Sequence, residues 1–263
     1  MLLIKIGGGK DLNLVGIVKD LASLNEKFIV VHGANALRDE LAQKLNIQKK
    51  VVTSLSGYDS VFSDENTIDL AMMAYAGLKN KRIVELFQQH GVNAVGLSGI
   101  DGKVIQGKRN SGIKVREGGK TLLLRDFSGK PKAINKQLLD LLLDNGYTPV
   151  LSVPLIDENN FAINSENDDI ITLLQNEFKA DKIISLIEAP GFLLDKNDPS
   201  SLVSNISKAE LEEMEQKVEG RMKRKILALR KLFESGDTTV ILSDGRTENP
   251  IKDALDGKGT TIQ

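Results

Sequence analysis

Cysteine is absent from the 263-residue chain, and so is tryptophan; histidine occurs only at His32 and His90. Without cysteine there are no disulfides, no thiolate nucleophile and no Cys-ligated metal. Two histidines exclude a His-rich metal centre. No apolar run approaches the roughly 20 residues that cross a bilayer, and "MLLIKIGGGK" lacks the apolar core and cleavage site of a signal peptide. The sequence therefore reads as a soluble, cytoplasmic protein with no membrane partner. Aromatic residues make up only 4% and the net charge is −1, which argues against nucleic acid as a partner.

What charge there is sits unevenly. Between Lys103 and Lys136 ten basic residues face only Glu117 and Asp126, giving a local +8 in a chain of net −1. Such a block is either a solvated surface or a dock for an acidic partner. A second basic run, "GRMKRKILALRK" from Gly220, could be a solvated helix face, a nucleic-acid arm or part of a site for an anion.

Short Val-, Ile- and Leu-rich runs without alternation occur at 2–6, 28–32, 93–98, 149–154, 183–187 and 239–243. They have the signature of strands buried on both faces of a parallel sheet. Segments with helical spacing lie between them, including "VGIVKDLASL", 64–89 with Ser63 as its cap, "KQLLDLLLDNG" ending at Gly146, and "SKAELEEMEQKV" with a Ser207/Glu210 capping box. The alternation predicts one α/β domain, a three-layer αβα sandwich around a mostly parallel sheet. "VREGGKTLLLRDF" predicts a β-hairpin within about 103–132, turning at Gly118-Gly119 and projecting from the main sheet.

Glycines close the first three strands: Gly7, Gly8 and Gly9, then Gly33, then Gly99 and Gly102. Glycine at the carboxyl ends of parallel strands lets backbone N–H groups approach an anionic ligand. The first turn is neither G-x-x-x-x-G-K-[ST] nor G-x-G-x-x-G, so a Walker-type NTPase and a dinucleotide enzyme lose their main support. Lys5 lies inside the first strand, where an ammonium is costly unless it meets anions. His32 reads as a hydrogen-bonded structural histidine and "AMMAYAGL" as core helix. "AELEEMEQ" reads as a solvated face, and so do Arg230 and Lys231.

"IKIGG", "VHGA", "GLSGIDG", "AINSENDD", "EAPGFLLD" and "GRMKRKI" occur in the order in which the amino acid kinase family carries them, and over nearly the whole chain the sequence resembles that family. "NKRIVEL" and "ENPIKDALDGKGT" are most similar to its branch of LysW-aminoadipate and LysW-glutamate kinases, with N-acetylglutamate kinase a near relative. The resemblance implies ATP-dependent phosphorylation of a side-chain carboxylate on an amino-protected 2-aminoadipate or glutamate, in lysine or arginine biosynthesis. It implies Lys5 and Lys225 as catalytic lysines, oriented by Asp168. Gly7 and Gly8 would hold the transferred phosphate, with Glu188, Pro190 and Gly191 in the nucleotide turn. Gly33, Ala34 and Asn164 would bind the acceptor. Mg²⁺ would be held mainly by phosphates and water, with no protein metal cage. Residues 1–155 would bind the carboxylate and 156–263 ATP, in a homodimer through the helix near 64–90. An acidic carrier protein of the LysW type would dock on the basic 103–136 region.

Three positions depart from that pattern: Ala34 replaces a glycine, Glu166 an asparagine, and Val61 stands where the family has a carboxylate-binding arginine. A free N-acetylated substrate, or a non-catalytic ligand sensor of the same fold, stays open beside the carrier-linked reading.

Overall fold

A computed structural model describes the chain except for residues 49, 54, 56–58, 196, 218–219, 235 and 237, and except for the side chains at 59–61, 117, 217 and 220–225. The first units are β1 (Leu2–Ile6), α1 (Leu14–Ala22), β2 (Phe28–His32) and α2 (Asn35–Lys44). A hairpin, β3 (Val51–Thr53) and β4 (Asp59–Val61), precedes one helical column made of α3 (Glu65–Ala71), a π-helical stretch Met72–Lys79, and α4 (Asn80–Gln89). Then come β5 (Ala94–Ser98), β6 (Ile105–Arg109), β7 (Ile113–Glu117), β8 (Lys120–Leu124), β9 (Gly129–Ile134), α5 (Lys136–Asp144) and β10 (Thr148–Ser152). β11 (Leu155–Ile156), β12 (Ala162–Ile163), α6 (Asn167–Phe178) and β13 (Lys182–Ile187) follow. The chain closes with β14 (Asn205–Ile206), α7 (Lys208–Lys217), α8 (Gly220–Lys231), β15 (Thr239–Asp244), α9 (Pro250–Leu255) and β16 (Thr260–Ile262).

All six expected strands enter one sheet, whose order among the described residues is β14-β16-β15-β13-β1-β2-β10-β5. Its pairings are parallel except for β15 with β16. β1 is central because it is apolar on both faces. Leu3 joins one core, with Ile29, Val31, Ile183, Val240 and Leu242; Leu2, Ile4 and Ile6 join the other. On the first face α5, α6 and α8 contribute Leu139, Leu143, Ile170, Ile171, Leu174 and Ile226. On the second, α1, α4 and α9 contribute Ile17, Val18, Leu21, Ile83, Phe87, Ile251 and Ala254. Each fully buried Leu or Ile side chain contributes roughly 1.5–3 kcal/mol. The sheet thus has helices on both faces, the expected αβα sandwich.

Local signals account for several boundaries. Ser207 and Glu210 form the expected reciprocal cap, Ser207 N donating to Glu210 Oε2 at 2.7 Å and Glu210 N to Ser207 Oγ at 3.2 Å. Gly146 follows α5 with φ 78°, a left-handed exit that glycine adopts without a Cβ clash. The cap of α3 is Asp64, not Ser63: its side chain accepts from Thr67 N at 2.9 Å, while Ser63 N donates to the buried Asp126 carboxylate.

The hairpin forms as β7 and β8, with Gly118 and Gly119 both at positive φ. It does not project from the main sheet. Its roots are β6 and β9, which belong to a second sheet of order β12-β11-β6-β9. Asp126 anchors the base, accepting from Ser63 N at 3.0 Å and from Ser128 Oγ at 2.6 Å. Arg230 is not simply solvated either: it pairs with Glu215 at 2.8 Å, tying α8 to the acidic helix α7. No described helix is long and apolar enough to cross a membrane.

Candidate active site

Lys5 lies on β1 beside Ser185 of β13 and Val31 of β2, one residue before the strand ends. The pleat sends it to the face that α6 covers. There its Nζ meets Asp168 Oδ1 at 2.5 Å. Asp168 is in the first turn of α6, where the helix dipole favours a carboxylate. Lys5 is mostly enclosed, so its charge is answered inside the protein rather than by water.

The two glycine turns are pressed together. Gly33 N donates to Ile6 O at 2.8 Å, and Ala36 N to Gly8 O at 2.9 Å. A Cβ on Gly8 would stand 2.7 Å from Asn35 N, and one on Gly33 would stand 2.7 Å from Gly8 N. Backbone fills the space where side chains would be, so both positions require glycine. Ala34 does not: its φ is −150°, open to any residue, and its methyl is buried in the core. As N-cap of α2 it makes no side-chain hydrogen bond, and of the first-turn N–H groups that of Ala36 is taken by Gly8 O.

Two cavities meet at Lys5 and Asp168. One, of about 160 Å³, is polar and is lined by Lys5, Gly7, Gly8, Gly33, Asn35, Arg38, Tyr75 and the segment 164–168. The other, of about 340 Å³, adds an apolar slot built from Ile171, Ile183, Val240, Leu242, Leu229 and Leu232. Glu188, Ala189 and Gly191 rim this slot, with Pro190 between them. Glu188 folds back over Gly9 and accepts from Asp11 N at 2.7 Å, bracing the first turn. Gly191 packs against Thr260, whose hydroxyl accepts from Phe192 N at 2.7 Å. Asn164 Nδ2 reaches Ser63 Oγ at 3.4 Å, and its backbone joins Phe127 and Gly129.

The expected residues therefore divide between the cavities. Gly7, Gly8, Gly33 and Asn164 line the polar one, Glu188 and Gly191 the slot, and Lys5 and Asp168 both. Lys225 is on α8 one helical turn before Leu229; its side chain, like those of Arg221, Lys223, Arg224 and Val61, lies outside the described residues. Sequence reasoning passed over Asn35, Arg38, Tyr75, Ser165 and Asn167. Arg38 follows Ala34 by one helical turn, its N–H donating to Ala34 O at 2.8 Å, and that spacing was the available signal. Tyr75, on the π-helical stretch, donates its hydroxyl to Asn35 Oδ1. Burial raises the Tyr75 pKa against the opposing pull of Arg38, so the hydroxyl stays protonated.

His32 closes the other side of the second turn. It is fully buried, its Nδ1 is 3.3 Å from Gly33 O, and its Nε2 is 3.2 Å from Asn80 Nδ2. Burial lowers its pKa to about 4 despite the Gly33 carbonyl, with Lys79 and Lys81 adding to the fall. It is a neutral structural group. Among the described residues no cluster of His, Cys, Asp and Glu could hold a metal ion. A Mg²⁺ ion entering with phosphate oxygens and water would fit that chemistry.

The protein is thus an αβα sandwich in which two cavities meet at a strand lysine. The amino acid kinase family profile matches residues 1–244, and the chain belongs to the amino acid kinase family. It is 39% identical over 269 residues to a LysW-aminoadipate kinase of Thermus thermophilus, covering 100% of both chains. It is 30% identical over 265 residues to an acetylglutamate kinase of Methanopyrus kandleri, again covering 100% of each. The fold is similar to that of Giardia carbamate kinase, with a TM-score of 0.67 at 15% identity over 99% of this chain and 97% of that one.

Proposed function

We propose that this kinase transfers the γ-phosphoryl group of ATP to the side-chain carboxylate of an amino-protected 2-aminoadipate or glutamate, making an acyl phosphate for lysine or arginine biosynthesis. The observation that carries the reading is the meeting of a polar cavity and an apolar slot at Lys5 and Asp168. The slot suits a purine and the polar cavity a small anionic acceptor. In this reading residues 1–155 hold most of the acceptor and 156–263 the nucleotide, with the 164–168 segment of the second part also lining the acceptor cavity.

The carboxylate is ionised at neutral pH, so it attacks the γ-phosphorus without a general base. A carboxylate oxygen–phosphorus bond forms, the bond to the β-phosphate oxygen breaks, and ADP leaves with that electron pair. Phosphoryl transfer depends on positioning and charge. Lys5 answers the charge on the equatorial oxygens and Asp168 fixes its ammonium. Lys225 acts from the side of α8. Gly7 and Gly8 supply backbone N–H groups to the phosphate; Gly33, Ala34 and Asn164 hold the acceptor. Glu188, Pro190 and Gly191 border the nucleotide. When bound, Mg²⁺ neutralises phosphate charge, held by phosphate and water rather than by a protein cage.

The amino-protecting group is read as an acidic carrier protein of the LysW type. Lys108, Arg125 and Lys132 line a broad groove with Arg109 and Lys130 at the base of the hairpin. Arg109 is committed to the buried Asp157 at 3.1 Å and to the Phe127 ring, which makes it a wall of the groove. Lys130 is likewise held by Asp169 at 2.5 Å, and Lys108, Arg125 and Lys132 suit electrostatic capture of an acidic surface.

The test is ATP turnover with hydroxylamine trapping of the acyl phosphate, using carrier-linked and N-acetylated aminoadipate and glutamate. A trapped hydroxamate from one of them is expected; none from any, with folded protein, ends this reading. Charge reversal at Lys108, Arg125 and Lys132 should raise KM for a carrier-linked acceptor and leave that for an N-acetylated one unchanged. An equal effect on both would remove the groove from the scheme.

A further inference from the structure

We infer that Arg38 holds the second, non-reacting carboxylate of the acceptor, making this side chain a determinant of selectivity for N-acylated amino dicarboxylates; the inference rests on the kinase reading above. Arg38 lines the polar cavity but not the apolar slot, whereas Lys5 lines both. It therefore belongs to the side of the cavity away from the phosphoryl group. Its side chain is only 14% exposed although no residue of α2 is fully buried. Long cationic side chains on such helices normally extend into water.

The charge is poised for a carboxylate. Nε and Nη2 both donate to one Asp39 oxygen, at 3.0 and 2.7 Å. That takes two of five guanidinium donors, and Asp39 is half exposed. Glu166 and Asp168 also line the cavity, Asp168 being held by Lys5, and the charges of Glu166 and Asp39 both act on Tyr75. Against them stand Arg38 itself and the α2 N-terminus, which has no side-chain cap. A planar fork is the natural partner for a carboxylate. A valine, as at position 61, offers nothing comparable.

A second observation points to the same ligand. Ser165 Oγ and Asn167 Oδ1 line this cavity, are buried, and have no hydrogen-bond partner among the described residues. Buried polar atoms are rarely left so without a ligand or water to complete them. An N-acylated α-amino acid bears a carboxylate and an amide N–H on one carbon. Arg38 pairs with the first, and the Asn167 carbonyl oxygen accepts from the second. The side-chain carboxylate then points towards Gly8 and Lys5.

The experiment compares N-acyl-2-aminoadipate with 5-(acylamino)pentanoate, the same molecule without the non-reacting carboxylate. The acyl group is whichever form, acetyl or carrier-linked, the wild type phosphorylates. A charge-assisted pair predicts a wild-type kcat/KM ratio of roughly 10–100 in favour of the dicarboxylate. Arg38→Met should collapse that ratio to within about threefold, through the acceptor KM, with KM for ATP held. Arg38→Lys, which keeps charge but not the fork, should fall between and guards against a folding defect, as does thermal unfolding of each variant. An undiminished ratio in both variants overturns the assignment while leaving the kinase reading standing. Absence of wild-type turnover with every acylated acceptor overturns both.

Discussion

Lys5 and Asp168, 163 residues apart in sequence, are joined by a 2.5 Å charge-assisted hydrogen bond at the floor shared by the two cavities. In the proposed reaction the pair fixes an ammonium where phosphoryl oxygens would arrive. Asp168→Asn keeps the shape and removes the charge that orients Lys5. Steady-state assays should show kcat reduced by about 10²–10³-fold, the scale for losing one preorganised electrostatic contact. Nucleotide affinity should change little. A variant within threefold of wild type would remove the pair from the transfer step.

Lys225→Ala should abolish turnover and leave thermal unfolding unaltered, since the residue is proposed to act on phosphate rather than in the core. Calorimetry alongside the hydroxamate assay separates the two effects. Retained turnover would mean that another cation of the Gly220–Lys231 helix has that role.

Gly33→Ala puts a methyl group 2.7 Å from Gly8 N and 2.8 Å from Gly8 Cα. The three nearest atoms are all backbone of Gly7 and Gly8, so no flexible side chain can yield. The expected cost is about 1–3 kcal/mol, typical of overpacking. At about 2–4 °C per kcal/mol that lowers Tm by several degrees, and the distorted turn should lose turnover as well.

His32 should leave a mark on stability against pH. Its folded pKa is lowered from 6.5 to about 4 by burial. Between those values the unfolded chain binds the proton and the folded one does not, so stability rises with pH across that window. The contribution is complete above 6.5 and is lost as pH falls towards 4, by up to about 3 kcal/mol. His32→Asn should flatten that part of a denaturation–pH curve. An unchanged slope would assign the acid sensitivity to other groups.

Much of this protein was legible in its sequence because the signals were local. Apolar runs buried on both faces reported parallel strands, Ser207 and Glu210 wrote their own cap, and Gly118-Gly119 turned the hairpin. Lys5 was conspicuous because an ammonium inside an apolar strand needs an anion. Other features were not legible. Asp64 and Ser63 are equally good cap residues, and only Asp126, sixty-three positions from Ser63, decided between them by accepting the Ser63 N–H. The hairpin's attachment depended on β6 and β9 pairing with each other, a long-range choice no single stretch encodes.

By itself the sequence determined the strands, the glycine turns and the chemical character of the site, since these follow from residue type and spacing. Only the tertiary structure decided which charges meet. It brought Asp168 to Lys5, committed Arg109 to Asp157, and turned Arg38 from α2 into the polar cavity beside Tyr75. Helical periodicity says which residues share a face, but not what lies opposite that face. Packing α2 against the first glycine turn and the π-helical stretch supplied that information.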